Sequence, residues 1–138
     1  QLPPVEQLRL AIEALVSDML RSGHASLFSR LVARELIEPT AAIHLLAERD
    51  VRAHHALFTG LIRGVVGESL PDDVVQKCVF SVIGQAVFYA RSRIVHELVA
   101  PEITYDEAGT ASIARHVAAF SLAALVGLRR QYAAQAVA

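Results

Sequence analysis

One cysteine, Cys78, is all the chain has in 138 residues. No disulfide framework can form within it, which fits a reducing cytoplasm. Cys78 lies inside an apolar run, where it reads as a small buried hydrophobe rather than a reactive thiol. Charge is equally scarce. Only 20% of residues are charged, the formal net charge is −1 and the isoelectric point is near 6.6. The basic residues are scattered, so this chain by itself carries no electrostatic footprint for nucleic acid. The first residues lack a basic region followed by an apolar core, and no signal peptide is read there. The chain begins at Gln1 without an initiator methionine, so an upstream segment is expected. Alternating apolar and polar runs are lacking, and the β-branched residues fall at helical spacing, so no strand is expected. There is no repeat of fixed period and no low-complexity linker.

What is abundant is apolar surface. Hydrophobic residues make up 54% of the chain. A single domain of this length buries roughly 70% of the surface of its unfolded chain, so this much apolar surface favours an oligomer. Lys77 is the one lysine among 13 basic residues and alanine is plentiful, a composition associated with GC-rich bacterial genomes. Two stretches, 78–90 and 117–128, carry no charge and are apolar around nearly the whole helical wheel. Such helices must be covered on more than one side. The first is too short to cross a bilayer, which needs roughly 20 residues. The second face therefore points to a partner subunit.

The expected fold is all-α, a bundle of about five main helices in one domain over 1–138. Val5, Leu8, Ile12, Leu15, Val16 and Met19 place the first helix up to about Leu20, stopped at Ser22-Gly23. Ser26 is a candidate cap for the second, which Pro39 ends. Thr40 is a candidate cap for a third over 41–66, ended by Gly67. Ser69-Leu70-Pro71-Asp72 has capping-box form ahead of a fourth helix over 71–98, roughly 40 Å long. Thr104-Tyr105-Asp106-Glu107 is a second such candidate. Gly109 weakens that start, so the fifth helix is expected to begin as late as Thr110 and to run to about Gln131.

Catalytic and metal signatures fail on spacing. No histidine has a glutamate three residues before it, as a di-metal carboxylate bundle requires. His96-Glu97 opens like a zinc-protease motif, but Ala100 stands where the second histidine belongs. His44, Glu48 and His55 share a helix face, yet the two histidines lie roughly 16 Å apart, too far for one ion. No metal, cofactor or enzymatic activity is expected. Ser81, Gln85, Tyr89, His116 and Ser121 are the polar residues within or beside the apolar stretches. The serines can bond to a carbonyl one turn back. Gln85 has too many hydrogen-bonding positions for that, and both a structural partner and a ligand remain open for it.

Three segments carry a resemblance. Arg34-Glu35-Leu36-Ile37-Glu38-Pro39-Thr40 resembles the R-E-x-x-x-P-T element in the regulatory domain of TetR-family transcriptional regulators, in particular the CecR-like branch. Ser81-Val82-Ile83-Gly84-Gln85-Ala86-Val87-Phe88-Tyr89, with Arg93 after it, resembles that branch's S-x-x-G-Q-x-x-F-Y segment. The run from His116 to Leu125 resembles its final helix. The order and spacing agree over nearly the whole chain. The resemblance implies a cytoplasmic homodimer through a four-helix bundle, built from the last two helices of each subunit. It also implies a small-molecule effector pocket and a repressor whose DNA contact is made by an N-terminal helix-turn-helix, which this sequence does not contain. No membrane partner is implied.

On that reading Met19, Phe28, Phe58, Gln85, Phe88 and Tyr89 are candidates to line the pocket, with Arg34, Glu35 or His44 as polar anchors. Plain core is the competing reading for the aromatics, and an ion pair at the Pro39 bend for Arg34 and Glu35. Val79, Val82, Ile83, Ala86, Ala90, His116, Phe120, Ala123, Ala124 and Gly127 are the expected dimer seam. A dimerisation module without ligand and a helical acid–base enzyme using Glu35 and His44 are the alternatives.

Overall fold

A computed structural model of the chain describes residues 1–22 and 27–138, without the side chains of 22 and 27–29. The helices are α1 (Pro4–Ser22), α2 (Leu27–Ile37), α3 (Ala42–Leu46), α4 (Arg52–Val66), α5 (Asp72–Arg91), α6 (Arg93–Val99) and α7 (Glu107–Val137). A π turn, Ala47–Val51, joins α3 to α4, and a 3-10 turn, Gly67–Ser69, follows α4. No strand occurs among the described residues, so the fold is all-α. The expected stop at Gly23 and cap at Ser26 lie outside the described residues.

The core is a body of four helices. Leu8, Ile12 and Val16, one turn apart on α1, are fully enclosed. They meet Phe58, Ile62, Val65 and Val66 of α4, Val75, Val79, Val82 and Ala86 of α5, and Ile113, Val117 and Leu125 of α7. Each set recurs at three and four residues, so every helix turns one stripe inward. Two arginines close the α4 end of the body. The Arg63 guanidinium donates to the carbonyls of Gly67 (3.0 Å) and Leu70 (2.7 Å) and pairs with Asp72. Arg129 of α7 donates to the Val65 carbonyl at 3.0 Å. These donors satisfy carbonyls that the end of α4 leaves without an intrahelical partner. Gly67 takes φ +65°, the left-handed region that glycine enters at no steric cost.

Three boundaries differ from expectation. The rod over 71–98 is broken at Ser92, and α6 turns 75° away from α5. No proline or glycine marks the break. Instead the Tyr105 hydroxyl donates to the Tyr89 carbonyl at 3.0 Å, capping a group that the broken helix would orphan. Ser69 does not cap α5; Pro71 occupies that position with no side-chain cap, and Asp72 is held by Arg63. Finally, α7 starts at Glu107 and runs through Val137. Its cap is Asp106, whose carboxylate accepts from the Gly109 amide at 2.7 Å. Gly109 does not weaken this start. A Cβ there would lie 2.1 Å from the Thr104 carbonyl oxygen, so only glycine lets the 103–106 turn close over the helix.

By length and composition α7 could cross a bilayer, as could the bent pair α5–α6 taken as one span. Along one side, however, α7 is a core helix: Ile113, Ala114, Val117, Ala118, Ser121 and Leu125 are all buried in the body.

Candidate functional site

α5 and α7 run in opposite directions against each other, so that Gln85 meets Ser121 while Tyr89 lies near the start of α7. Their outer sides form one face. Along α5 it carries Phe80, Ser81, Gly84 and Phe88. Along α7 it carries Ser112, His116, Ala119, Phe120, Ala123, Ala124 and Gly127, all exposed. Phe80, Phe88 and Phe120 leave 63%, 59% and 60% of their surface in water.

At the α6 end of this face lies a groove of about 500 Å³, open to solvent. Gly84, Gln85, Phe88 and Tyr89 of α5, His96 of α6, Ile103, and His116 and Phe120 of α7 line it. A smaller hollow of about 310 Å³ continues from it past Tyr89, Ile103 and His116 to Glu102, Thr104 and Ser112. The bend at Ser92 is what brings His96 back over the groove. The His96 ring is only 9% exposed and sits among aromatics, 5.2 Å from Phe88 and 5.4 Å from Tyr89 between centroids. Its Nδ1 lies 2.6 Å from the Tyr105 oxygen. Burial pushes the Tyr105 phenol up, so it keeps its proton. Gln85 donates through its amide to Ser121 Oγ (3.0 Å) and to the Ser81 carbonyl (3.3 Å).

The structure brings Gln85, Phe88, Tyr89, His116 and Phe120 together at this groove. The other candidates lie elsewhere. Phe58 is enclosed in the core and Met19 packs against it, so neither reaches the groove. Glu35 is buried with its carboxylate taken by Thr40, whose amide and hydroxyl both donate to it at 2.8 Å. That backbone bond, with the hydroxyl after it, holds the Glu35 carboxyl below its ordinary value of 4.5. Glu35 therefore fixes the turn into α3. Arg34 and His44 are exposed on α2 and α3 and neither lines the groove. The side chain of Phe28 lies outside the described residues.

For the seam, His116, Phe120, Ala123, Ala124 and Gly127 lie on the open face. Val79, Val82, Ala86 and Ala90 do not. They are enclosed by their own subunit, and Ile83 packs half-buried against the core. The expectation thus named the side of α5 that its own subunit encloses: the helix is apolar all round, and composition alone cannot orient it. Phe80, Ser81, Gly84, His96 and Ile103 were not among the residues expected at a pocket or seam, although Ser81, Gly84 and His96 stand out in the sequence for other reasons. His96 follows Tyr89 by seven residues and Gln85 by eleven, the spacing of one face on an unbroken helix, but it is the bend at Ser92 that sets it at the groove.

Among the described residues, no three His, Cys, Asp or Glu side chains gather as a metal site. His54 bonds to the Asp50 carbonyl and His55 to Gln76. Burial raises the Cys78 thiol above its ordinary value, the condition of an unreactive thiol.

A family model described as the C-terminal domain of the HTH-type transcriptional dual regulator CecR matches residues 4–125. No curated protein matches the chain, and no solved structure does.

Proposed function

Because the chain belongs to the family of CecR C-terminal domains, the effector domains of TetR-like transcriptional regulators, we propose that it dimerises through the open face of α5 and α7 and senses a small, mostly apolar molecule at the groove where that face ends. The observation that carries this is the pairing of large and small residues on one surface. Three phenylalanines stand beside Gly84, Ala119, Ala123, Ala124 and Gly127, all exposed. A two-fold copy can seat each ring against a small residue, as an isologous interface requires. Covering a ring wholly contributes on the order of 3 kcal/mol, at about 25 cal/mol per Å² over roughly 120 Å², and Phe88 and Phe120, which also wall the groove, contribute part of that. Three rings per subunit outweigh an association cost of about 4–15 kcal/mol only when packing is close, and the small residues permit that.

A bilayer is the competing cover for α7. It suits this face poorly, because Ser81, Ser112 and His116 share it with the rings. In the proposed mechanism the effector binds one arrangement of the dimer better than another, and the population shift alters DNA binding by a helix-turn-helix domain on the same regulator. A repressor working in the cytoplasm fits this reading. No enzymatic step enters it.

Sedimentation of the chain at micromolar concentration tests the seam. The unaltered chain should sediment as a dimer, and Gly84→Arg as a folded monomer. A Cβ at Gly84 meets nothing within 4 Å, so the substitution leaves the subunit's own packing alone. A monomeric unaltered chain would overturn the proposal.

A further inference from the structure

The hydrogen bonds around His96 bear on what the groove can recognise. The Tyr89 carbonyl stands where α5 breaks, and the donor it has among the described residues is the Tyr105 hydroxyl. That hydroxyl has one hydrogen. With it on Tyr89, the short contact between His96 Nδ1 and the Tyr105 oxygen (2.6 Å) is made by an Nδ1–H donating to the phenol oxygen. A neutral imidazole with hydrogen on Nδ1 has a bare lone pair on Nε2. His96 lines the groove and Tyr105 does not, which leaves Nε2, the nitrogen that Tyr105 does not hold, as the one on offer to a ligand. Gln85 arrives at the same chemistry separately. A carbonyl and Ser121 Oγ take its NH2 group, and the Ser81 carbonyl, which can only accept, fixes the amide's orientation. Its Oε1 is left as an acceptor. The groove therefore offers two acceptors beside the apolar side chains of Phe88, Ile103 and Phe120, with Gly84, Tyr89 and His116 completing its lining.

Resting on the sensing role proposed above, we infer that this groove selects aromatic molecules bearing a hydroxyl donor, which His96 Nε2 and Gln85 Oε1 accept, and that it discriminates against carboxylates of the same shape. An ether of that shape leaves both acceptors unpaired in an apolar wall, and a carboxylate sets negative charge against them. Either change should weaken binding at least about tenfold.

The test uses the full chain with 2-naphthol, 2-methoxynaphthalene and 2-naphthoate, read by titration calorimetry and by ring nitrogen-15 NMR of the histidines. The expected result has three parts. Without ligand, His96 carries its proton on Nδ1. Naphthol then binds at least about tenfold more tightly than the other two. Naphthol alone shifts the His96 Nε2 resonance. His96→Phe should abolish the preference while keeping the binding of the ether, and the NMR readout on the unaltered chain decides the matter should that variant not fold. Nε2–H in the free protein overturns the inference. So do equal affinities, tighter naphthoate binding, or naphthol binding that leaves Nε2 unmoved; in these cases the sensing role itself stands. Loss of the naphthol signal on dimerisation would assign the groove to the seam instead. If none of the three probes binds, the inference falls, and the sensing role falls with it only if native mass spectrometry also finds no small molecule on the protein.

Discussion

α1 and the arm made by α2 and α3 share the same apolar periodicity and end in opposite circumstances. On α1, Leu8, Ile12 and Val16 are completely enclosed by α4, α5 and α7. On the arm, Leu31, Leu36, Ile37 and Leu45 are exposed, Ile37 with 81% of its surface in water. Among the described residues, none between 27 and 57 belongs to the core. The body is held by burial. Among the described residues the arm is held locally, by Glu35 gripping Thr40 across the Pro39 turn and by hydrogen bonds along its own helices. Periodicity says which side of a helix is apolar; it does not say what will cover that side.

Substitutions can break or sharpen that contrast. The largest effect should come from Phe58→Ala in the body. It removes a buried ring from α4, and chemical denaturation should show a loss of about 3–5 kcal/mol. Gly109→Ala comes next. Its Cβ would collide with the Thr104 backbone, so the turn before α7 must shift, at a cost of about 1–3 kcal/mol on the same denaturation curve. Acidification should touch the arm and spare the body. The folded Glu35 carboxyl titrates below 4.5, so its contribution is fully present above that pH and is lost as pH falls through the lower, folded value. Protection factors at Thr40 and Ala42, taken against the intrinsic exchange rate at each pH, should fall over that acid range while amides of α1 stay protected. Glu35→Gln should show the fast exchange already at neutral pH. The smallest effect belongs to Ile37→Ala, within about 0.5 kcal/mol. A cost near that of Phe58→Ala would mean that the arm is packed after all, and the contrast would be lost.

Much of this was legible in residues. The inward stripe of α1, the stop at Gly67 and the all-α class follow from spacing and from one left-handed glycine. The family was legible too, from Arg34–Thr40, Ser81–Tyr89 and the run beginning at His116. The break at Ser92 was not, because Arg91-Ser92-Arg93 reads as ordinary helix and the cause, Tyr105, comes sixteen residues after the carbonyl it caps. The side of α5 that faces outward was not legible either. Val79 and Phe80 are neighbours of similar hydrophobicity, one enclosed and the other largely in water.

Local sequence thus determined which segments are helical and how much apolar surface they carry, since propensity and spacing act within a few turns. Only the tertiary structure decided how that surface is divided between the subunit's own core and an open face, and that His96 meets Tyr105 beyond the break in α5. Those outcomes depend on contacts between residues distant in the chain, where packing and hydrogen-bond accounting override local preference.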